Sequence, residues 1–398
     1  MPHTHTRPPL TGWLILNLMF QISFGLMAMT LCLPSMQEWG QIFDADQAAV
    51  QLTFSAYVMA YGGMQLVYGP LSDRHGRKRV LMIGLAVAGL GSLMGALSTG
   101  LSGLIAARVL QGMGGAASIV VGRSMVQDLF DGPQRTRVMA YIGMVMGLCP
   151  PLGTIVGGQL HVRLGWASVF WTVTVLSVIL MLAAWRGLPA RAPAPARETH
   201  WLRDFISAYV RLAREPVFLL YVVVLAGTTA CFYVFMAGTP IVLGSYGIKP
   251  DGVGWYIMCV PLFYMVGNFL TSRLIQRVGE RRIMVVGQAL SMFSLLLMLS
   301  LFAGGLRSPL AFALPLMLLG LGHGFLNPPA LAGTVGVVPA LAGSAAGVAG
   351  LTQQMMGAFG GFLVGLFHHD GPLQLGLLML GFTLIAGVAM FYLLLRKR

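Results

Sequence analysis

Charge is what this 398-residue sequence has least of. Only 9% of its residues are Asp, Glu, Lys or Arg, where a soluble domain carries roughly 25%. A single soluble core stops growing at about 250–300 residues, and several cores would need charged surface that is not there. Disorder is excluded as well, because 57% of the residues are apolar and the mean hydropathy is +0.79, whereas disorder needs low hydrophobicity. Cysteine is scarce: Cys32, Cys149, Cys231 and Cys259 fall inside apolar runs and read as small buried hydrophobes, not disulfides. A cleavable signal peptide is not evident. Nucleophile–base pairs, phosphate-cradling loops and metal-spaced clusters are missing too, so no cofactor or metal is expected and an integral-membrane enzyme is the weaker class. His3 and His5 sit too near the terminus, and His368-His369-Asp370 is one short turn.

What is present is a series of long charge-free runs: 8–37, 47–72, 80–107, 138–162, 164–185, 216–248, 252–272, 283–306, 308–369 and 371–395. Each meets the ~20 residues that cross a bilayer. The run 308–369 holds two spans, divided near Gly336–Gly343, and 102–127 is one more, interrupted by Arg108 and Arg123. The expectation is an all-α membrane protein of twelve transmembrane helices. A β-barrel would alternate in ten-residue segments, and these runs do not.

Lys and Arg set the sides. With both termini cytoplasmic, 21 of 25 basic residues lie inside and only Arg163, Lys249 and Arg307 outside, with Arg108 within a span. The net charge of +13 is then an orientation signal in a lipid bilayer, with no nucleic acid as partner. Trp13, Trp185 and Trp201 near the inner face and Trp39, Trp166 and Trp255 near the outer suit aromatic belts.

The expected parts are a tail 1–7, a six-helix bundle 8–186, a cytoplasmic linker 187–215, a second bundle 216–395 and a tail 396–398. The linker carries Trp201, Phe205, Tyr209 and Leu212 among arginines, the spacing of a short interfacial helix. The halves echo one another. Arg74-His-Gly-Arg-Lys-Arg-Val-Leu81 follows the second span, and Arg277-Val-Gly-Glu-Arg-Arg-Ile-Met284 follows the eighth. A duplicated bundle with a site between the copies is the architecture of alternating-access transporters.

Gly69-Pro-Leu-Ser-Asp-Arg-His-Gly-Arg-Lys-Arg-Val-Leu81 packs an acid, bases and glycines into one turn. Asp73 can reach a helix N-terminus, where the dipole favours a carboxylate. Arg77 can pair with an acid of a neighbouring helix, and Asp128 is expected to meet Arg77 or Arg123. Gly69, Asp73, Arg74, Gly76, Arg77 and Asp128 are thus a candidate conformational lock on the inner face.

This stretch resembles the loop signature of the major facilitator superfamily. Leu104-x3-Arg108-x2-Gln111-Gly112-x-Gly114 looks like that family's second motif. Val50-Gln-Leu-Thr53, Gln65 to Arg74 and Ala237-Gly-Thr-Pro-Ile-Val-Leu243 are similar to the Bcr/CflA subfamily of drug:proton antiporters. Gly153-Thr-Ile-Val-Gly157-Gly158 resembles the antiporter motif, with Thr154 where proline is usual. Gly143, Gly147 and Pro151 extend this as a helix shaped for close approach, or as ordinary small-residue packing.

The resemblance implies proton coupling through the intramembrane Arg108, which faces a cavity or a partner or else snorkels outward. Arginine does not titrate usefully, and none of the acids falls at mid-membrane. Asp46 is a coupling candidate or a helix N-cap. His323 is a proton carrier or an interhelical hydrogen-bonding group. Substrate-cavity candidates are Gln21, Tyr57, Tyr61, Gln111, Phe232, Tyr233, Phe235, Asn327 and Gln353, a lining suited to amphipathic ligands. The expected protein is a monomeric, multi-pass inner-membrane exporter of small amphipathic compounds, drugs or toxic metabolites, in exchange for protons. One endogenous metabolite or siderophore as cargo, uncoupled flux, or a nontransporting receptor are the alternatives.

Overall fold

The structure is a computed structural model and describes residues 12–189, 210–338, 341–367 and 371–396. The tail 1–7, most of the 187–215 linker with its expected interfacial helix, Pro339, and residues 397–398 lie outside the described residues.

The described elements are helical: α1 (Gly12–Thr30), α2 (Met36–Ile42), α3 (Gln47–His75), α4 (Arg77–Ala96), α5 (Leu101–Leu129), α6 (Gly132–Leu164), α7 (Ala167–Gly187), α8 (Pro216–Ser245), α9 (Pro250–Ile257), α10 (Cys259–Val278), α11 (Glu280–Ala303), α12 (Pro309–Val337), α13 (Ala342–Leu366) and α14 (Pro372–Arg396). Ten stretches are long and apolar enough to cross a membrane, with α9 and α10 forming one of them. The outer surface is apolar where a soluble protein is polar: Trp171, Val175, Val178 and Ile179 on α7, and Leu377, Leu384, Val388 and Phe391 on α14, are exposed.

Two further long helices, α3 and α13, fall short of that apolar standard, and packing explains why. They carry Gln47, Gln51 and Gln65, and Gln353 and Gln354. They lie against each other, so each shields the other's amides from lipid.

Helices α1 and α3–α7 pack as one bundle around α5, and α8 and α10–α14 as a second around α8 and α12. Between bundles, α3 meets α13, α6 meets α9 and α10, and the short α2 reaches α8. The duplicated loop seen in the sequence has one backbone solution in both copies. Gly76 (φ 89°) separates α3 from α4 and Gly279 (φ 86°) separates α10 from α11. Both occupy the left-handed region that glycine enters at no steric cost. These turns mark what we term the basic end of the molecule; α2 marks the opposite end.

Candidate functional site

Contacts between the bundles are gathered at the α2 end. Gln37 Nε2 donates to Pro240 O, and Gln51 Nε2 donates to Ala237 O at 3.1 Å. A Cβ built on Gly365 would lie 2.7 Å from Ala48 Cα, and one on Gly361 2.8 Å from Phe54 Cδ1. Across the other seam, a Cβ on Gly254 would stand 2.5 Å from Ile155 N, and one on Gly158 2.9 Å from Asp251 Cα. The seam reaches mid-height at Gly147 against Met265 and Gly62 against Gln354 and Met355. Nearer the basic end it stops: Cβ atoms on Gly69, Gly143, Gly336 and Gly350 would meet nothing within 4 Å. Among the described residues, the bundles therefore enclose a cleft that is sealed at the α2 end and open at the basic end.

The α2 end is braced from within the first bundle. His161 of α6 contacts Ser35 Oγ at 3.0 Å through Nδ1 and Glu38 Oε2 at 2.9 Å through Nε2. This holds α2 where Gln37 can reach Pro240. Gln37 and His161 carried no recognisable signal in the sequence; Gln51 did, inside Val50-Gln-Leu-Thr53.

Arg108 neither faces the cleft nor snorkels. It is fully buried inside the first bundle, and its cation is met by neutral partners. Nη1 donates to Ala28 O at 3.0 Å and to Gln111 Oε1, and Nε to Thr53 O at 3.4 Å. The guanidinium lies 4.1 Å over the Tyr57 ring, a favourable cation–π placement. Gln111 Nε2 passes the chain on to Ser92 Oγ at 2.8 Å, and Tyr57 donates to Gly25 O at 2.6 Å. Neither Gln111 nor Tyr57 is a cleft residue; both complete the arginine's shell.

Several other candidates also move. Gln21 is not a cleft residue: it is buried and donates to Leu180 O at 2.8 Å and Asn17 Oδ1 at 3.0 Å, because its helix face meets α7. Asp46 caps α3, accepting from Ala49 N at 2.7 Å. Phe235 is buried on α8, in an apolar core that joins both bundles. His323 is buried on α12, and its Nε2 has no partner among the described residues.

At mid-height an aromatic and amide group does form. Tyr61 stacks on Tyr57 with centroids 5.9 Å apart. Tyr233 donates to Gln354 Oε1 at 2.8 Å and meets Phe54 of the other bundle edge-on at 5.8 Å. Phe232 lies 6.0 Å from Tyr233, Gln353 donates to Thr229 Oγ1 at 2.9 Å, and Thr228 donates to Asn327 Oδ1 at 2.8 Å.

At the basic end Arg77 binds Asp73 and places its Nε 3.2 Å from Asp128 Oδ2, and its Nη1 donates to Ser72 Oγ at 2.6 Å. Of the two expected partners, Arg77 holds Asp128. These contacts lie within the first bundle. The glycines of α6 do two jobs. A Cβ on Gly153 or Gly157 would collide with Thr30 of α1 or the Leu31 carbonyl just after it, whereas Gly147 and Gly158 face the second bundle. Thr154, at the position of the usual proline, donates to Pro150 O at 2.9 Å and Pro151 O at 3.0 Å. Gly143 packs against nothing.

Two bundles with matching loop geometry around one cleft are a transporter's frame, and the comparisons agree. Residues 15–249 and 230–398 match the Major Facilitator Superfamily. The chain belongs to that superfamily. Among relatives, it is 28% identical over 368 residues to Multidrug resistance protein D of Escherichia coli, covering 92% of each chain. It is 25% identical over 386 residues to a Bicyclomycin resistance protein homolog of Haemophilus influenzae, covering 94% of this chain and 96% of that one. Among solved folds, it superposes with a TM-score of 0.75 and 14% identity on a bacterial homolog of the human lysosomal transporter Spinster, over 96% of both chains. That likeness concerns the fold. The named relatives are transporters and resistance proteins, not enzymes.

Proposed function

We propose that this superfamily member is a twelve-span efflux transporter with both termini in the cytoplasm of a bacterial cell, exporting small amphipathic compounds by alternating access. The basic end is the cytoplasmic one, since it collects the arginine-rich loops. The cleft carries the proposal: it is sealed at the α2 end and open at the basic end, the arrangement from which a cytoplasmic compound would be taken up. Relatives named for resistance to several drugs and to bicyclomycin support drugs as cargo. A monomer contains the whole cleft.

Proton antiport is the coupling that the family resemblance supports. A specific observation favours uncoupled flux instead. Among the described residues Arg108 is solvated by carbonyl oxygens, an amide and a ring, with no carboxylate beside it. Inside-out vesicles with an acid interior decide between them. Antiport requires that adding bicyclomycin or chloramphenicol collapses the pH gradient as drug enters and protons leave. Labelled drug entering with the gradient unchanged means uncoupled transport. Neither signal from a broad panel of drugs would overturn drug efflux.

A further inference from the structure

We propose that Arg123 is the anion-anchoring group of the cleft, so that the ligands it favours carry one negative charge on an aromatic or apolar body. This names a cargo class within the transport reading above and rests on it for the passage of the ligand, though not for its binding.

Two arginines stand inside the membrane-crossing part of α5, and they are treated differently. Arg108 donates through all three of its nitrogens. Arg123 lies less than two turns before the end of α5 at the basic end. Among the described residues its hydrogen-bonding contact is with Met146 Sδ, at 3.6 Å. A thioether is a weak acceptor, and a guanidinium has five N–H donors. Helices α1, α3 and α4 cover the other sides of α5. The exposed Arg123 side chain therefore points into the cleft beside α6.

Among the described residues, four acids of the basic end are engaged elsewhere. Asp73 and Asp128 belong to the Arg77 cluster, Asp131 pairs with Arg135 at 3.2 Å, and Glu280 accepts from Tyr221 at 3.2 Å. Next to Arg123, within electrostatic reach, stands Tyr61, whose ring is buried and whose hydroxyl has no partner among the described residues. Met355 faces Gly62 from the second bundle, so methionine and aromatic surface flank the charge.

The transport cycle sharpens the need. While the basic end is open, water solvates the guanidinium. When it closes, water leaves, and an unpaired charge in a dry site is costly. A bound carboxylate, sulfonate or phosphate monoester supplies the missing charge through a two-pronged hydrogen bond, and the apolar body fills the space along Met146 and Met355. A cationic ligand would meet a like charge.

The probe set is naphthaleneacetate, its methyl ester and naphthylethylamine: one aromatic body with a negative, neutral or positive tail. Retention is measured by equilibrium dialysis with the full chain in nanodiscs against empty nanodiscs. Wild type should hold the acid about tenfold or more tighter than the ester, and the amine least. Arg123→Gln should lose that preference while retaining the ester unchanged, which also shows that it is folded, and Arg123→Lys should keep part of it. Equal retention of the acid by wild type and Arg123→Gln overturns the proposal. So does a wild type that holds the ester or amine as well as the acid, or retains the acid no better than empty discs. Because dialysis reads binding alone, acid-selective binding without flux would overturn the transport reading and leave the anchor standing. Drug efflux with no preference for the acid would do the reverse.

Discussion

At the scale of single residues, Arg108 shows what an intramembrane charge needs. Its flat fork reaches carbonyls on α1 and α3 and the amide of Gln111 while resting on Tyr57. Lysine keeps the charge but offers a point donor on a flexible stem. Arg108→Lys should therefore leave at least one buried acceptor unmet, at about 2–3 kcal/mol, and lower the thermal midpoint of the purified protein by roughly 2–4 °C. An unchanged midpoint would mean that the shell contributes no stability. The sequence made Arg108 stand out, because a charge among apolar residues is visible at once. Which way it points was not legible, since one helix's periodicity cannot say which neighbour covers which face. Gln21 failed for the same reason: its face meets α7, and only the order of helices around the bundle decides that. Arg123 stands out in the sequence as the second charge of the α5 span and a candidate partner for Asp128. That its side chain is exposed beside α6 is not legible there, because the face it takes depends on which neighbours cover the rest of α5.

At the scale of elements, α6 was legible as a glycine- and proline-rich helix, but not as one serving two neighbours. Gly157 sits where the Leu31 backbone crosses just after α1, and a Cβ there has no flexible atom to displace. Gly157→Ala should push α1 and α6 apart at a cost of about 1–3 kcal/mol, seen as low yield of monodisperse protein, while Gly143→Ala, with nothing within 4 Å, should behave as wild type. Equal yields from the two variants would refute this packing account. Gly158 faces Pro250 and Asp251 across the seam, so Gly158→Val should spare the first bundle and loosen the α2 end instead. Spin labels on Gln41 and Ser245, both exposed near that end, should report a longer distance in Gly158→Val than in wild type. An unaltered distance would place the seam's strength elsewhere, in the Gln37 and Gln51 contacts.

For the whole molecule, the two-bundle plan was the most legible feature, because charge-free runs and a duplicated basic loop need no tertiary knowledge. The state of the cleft was not, since under the proposed alternating access the same sequence also builds a counterpart sealed at the basic end. In that proposal the Arg77 cluster links the two states. In the open cleft Arg77 holds Asp73 and Asp128 within the first bundle, and Asp73 is more than half exposed at 58%. Helix α13, which packs along α3, begins at Ala342 at the basic end. Its N-terminal amides and positive dipole end suit a carboxylate brought up against them as the cleft closes. Asp73→Asn keeps the shape and removes the charge, so it should leave the open form intact and weaken the closed one. Labels on His75 and Gln276, exposed on the two bundles at that end, should show a short-distance population when wild type is supplied with cargo. That population should shrink severalfold in Asp73→Asn, with drug flux falling in proportion and expression unchanged. A variant that closes and transports as wild type does would show that Asp73 belongs to the turn's internal pairing alone, and that closure at the basic end is held by apolar contact between α3 and α13.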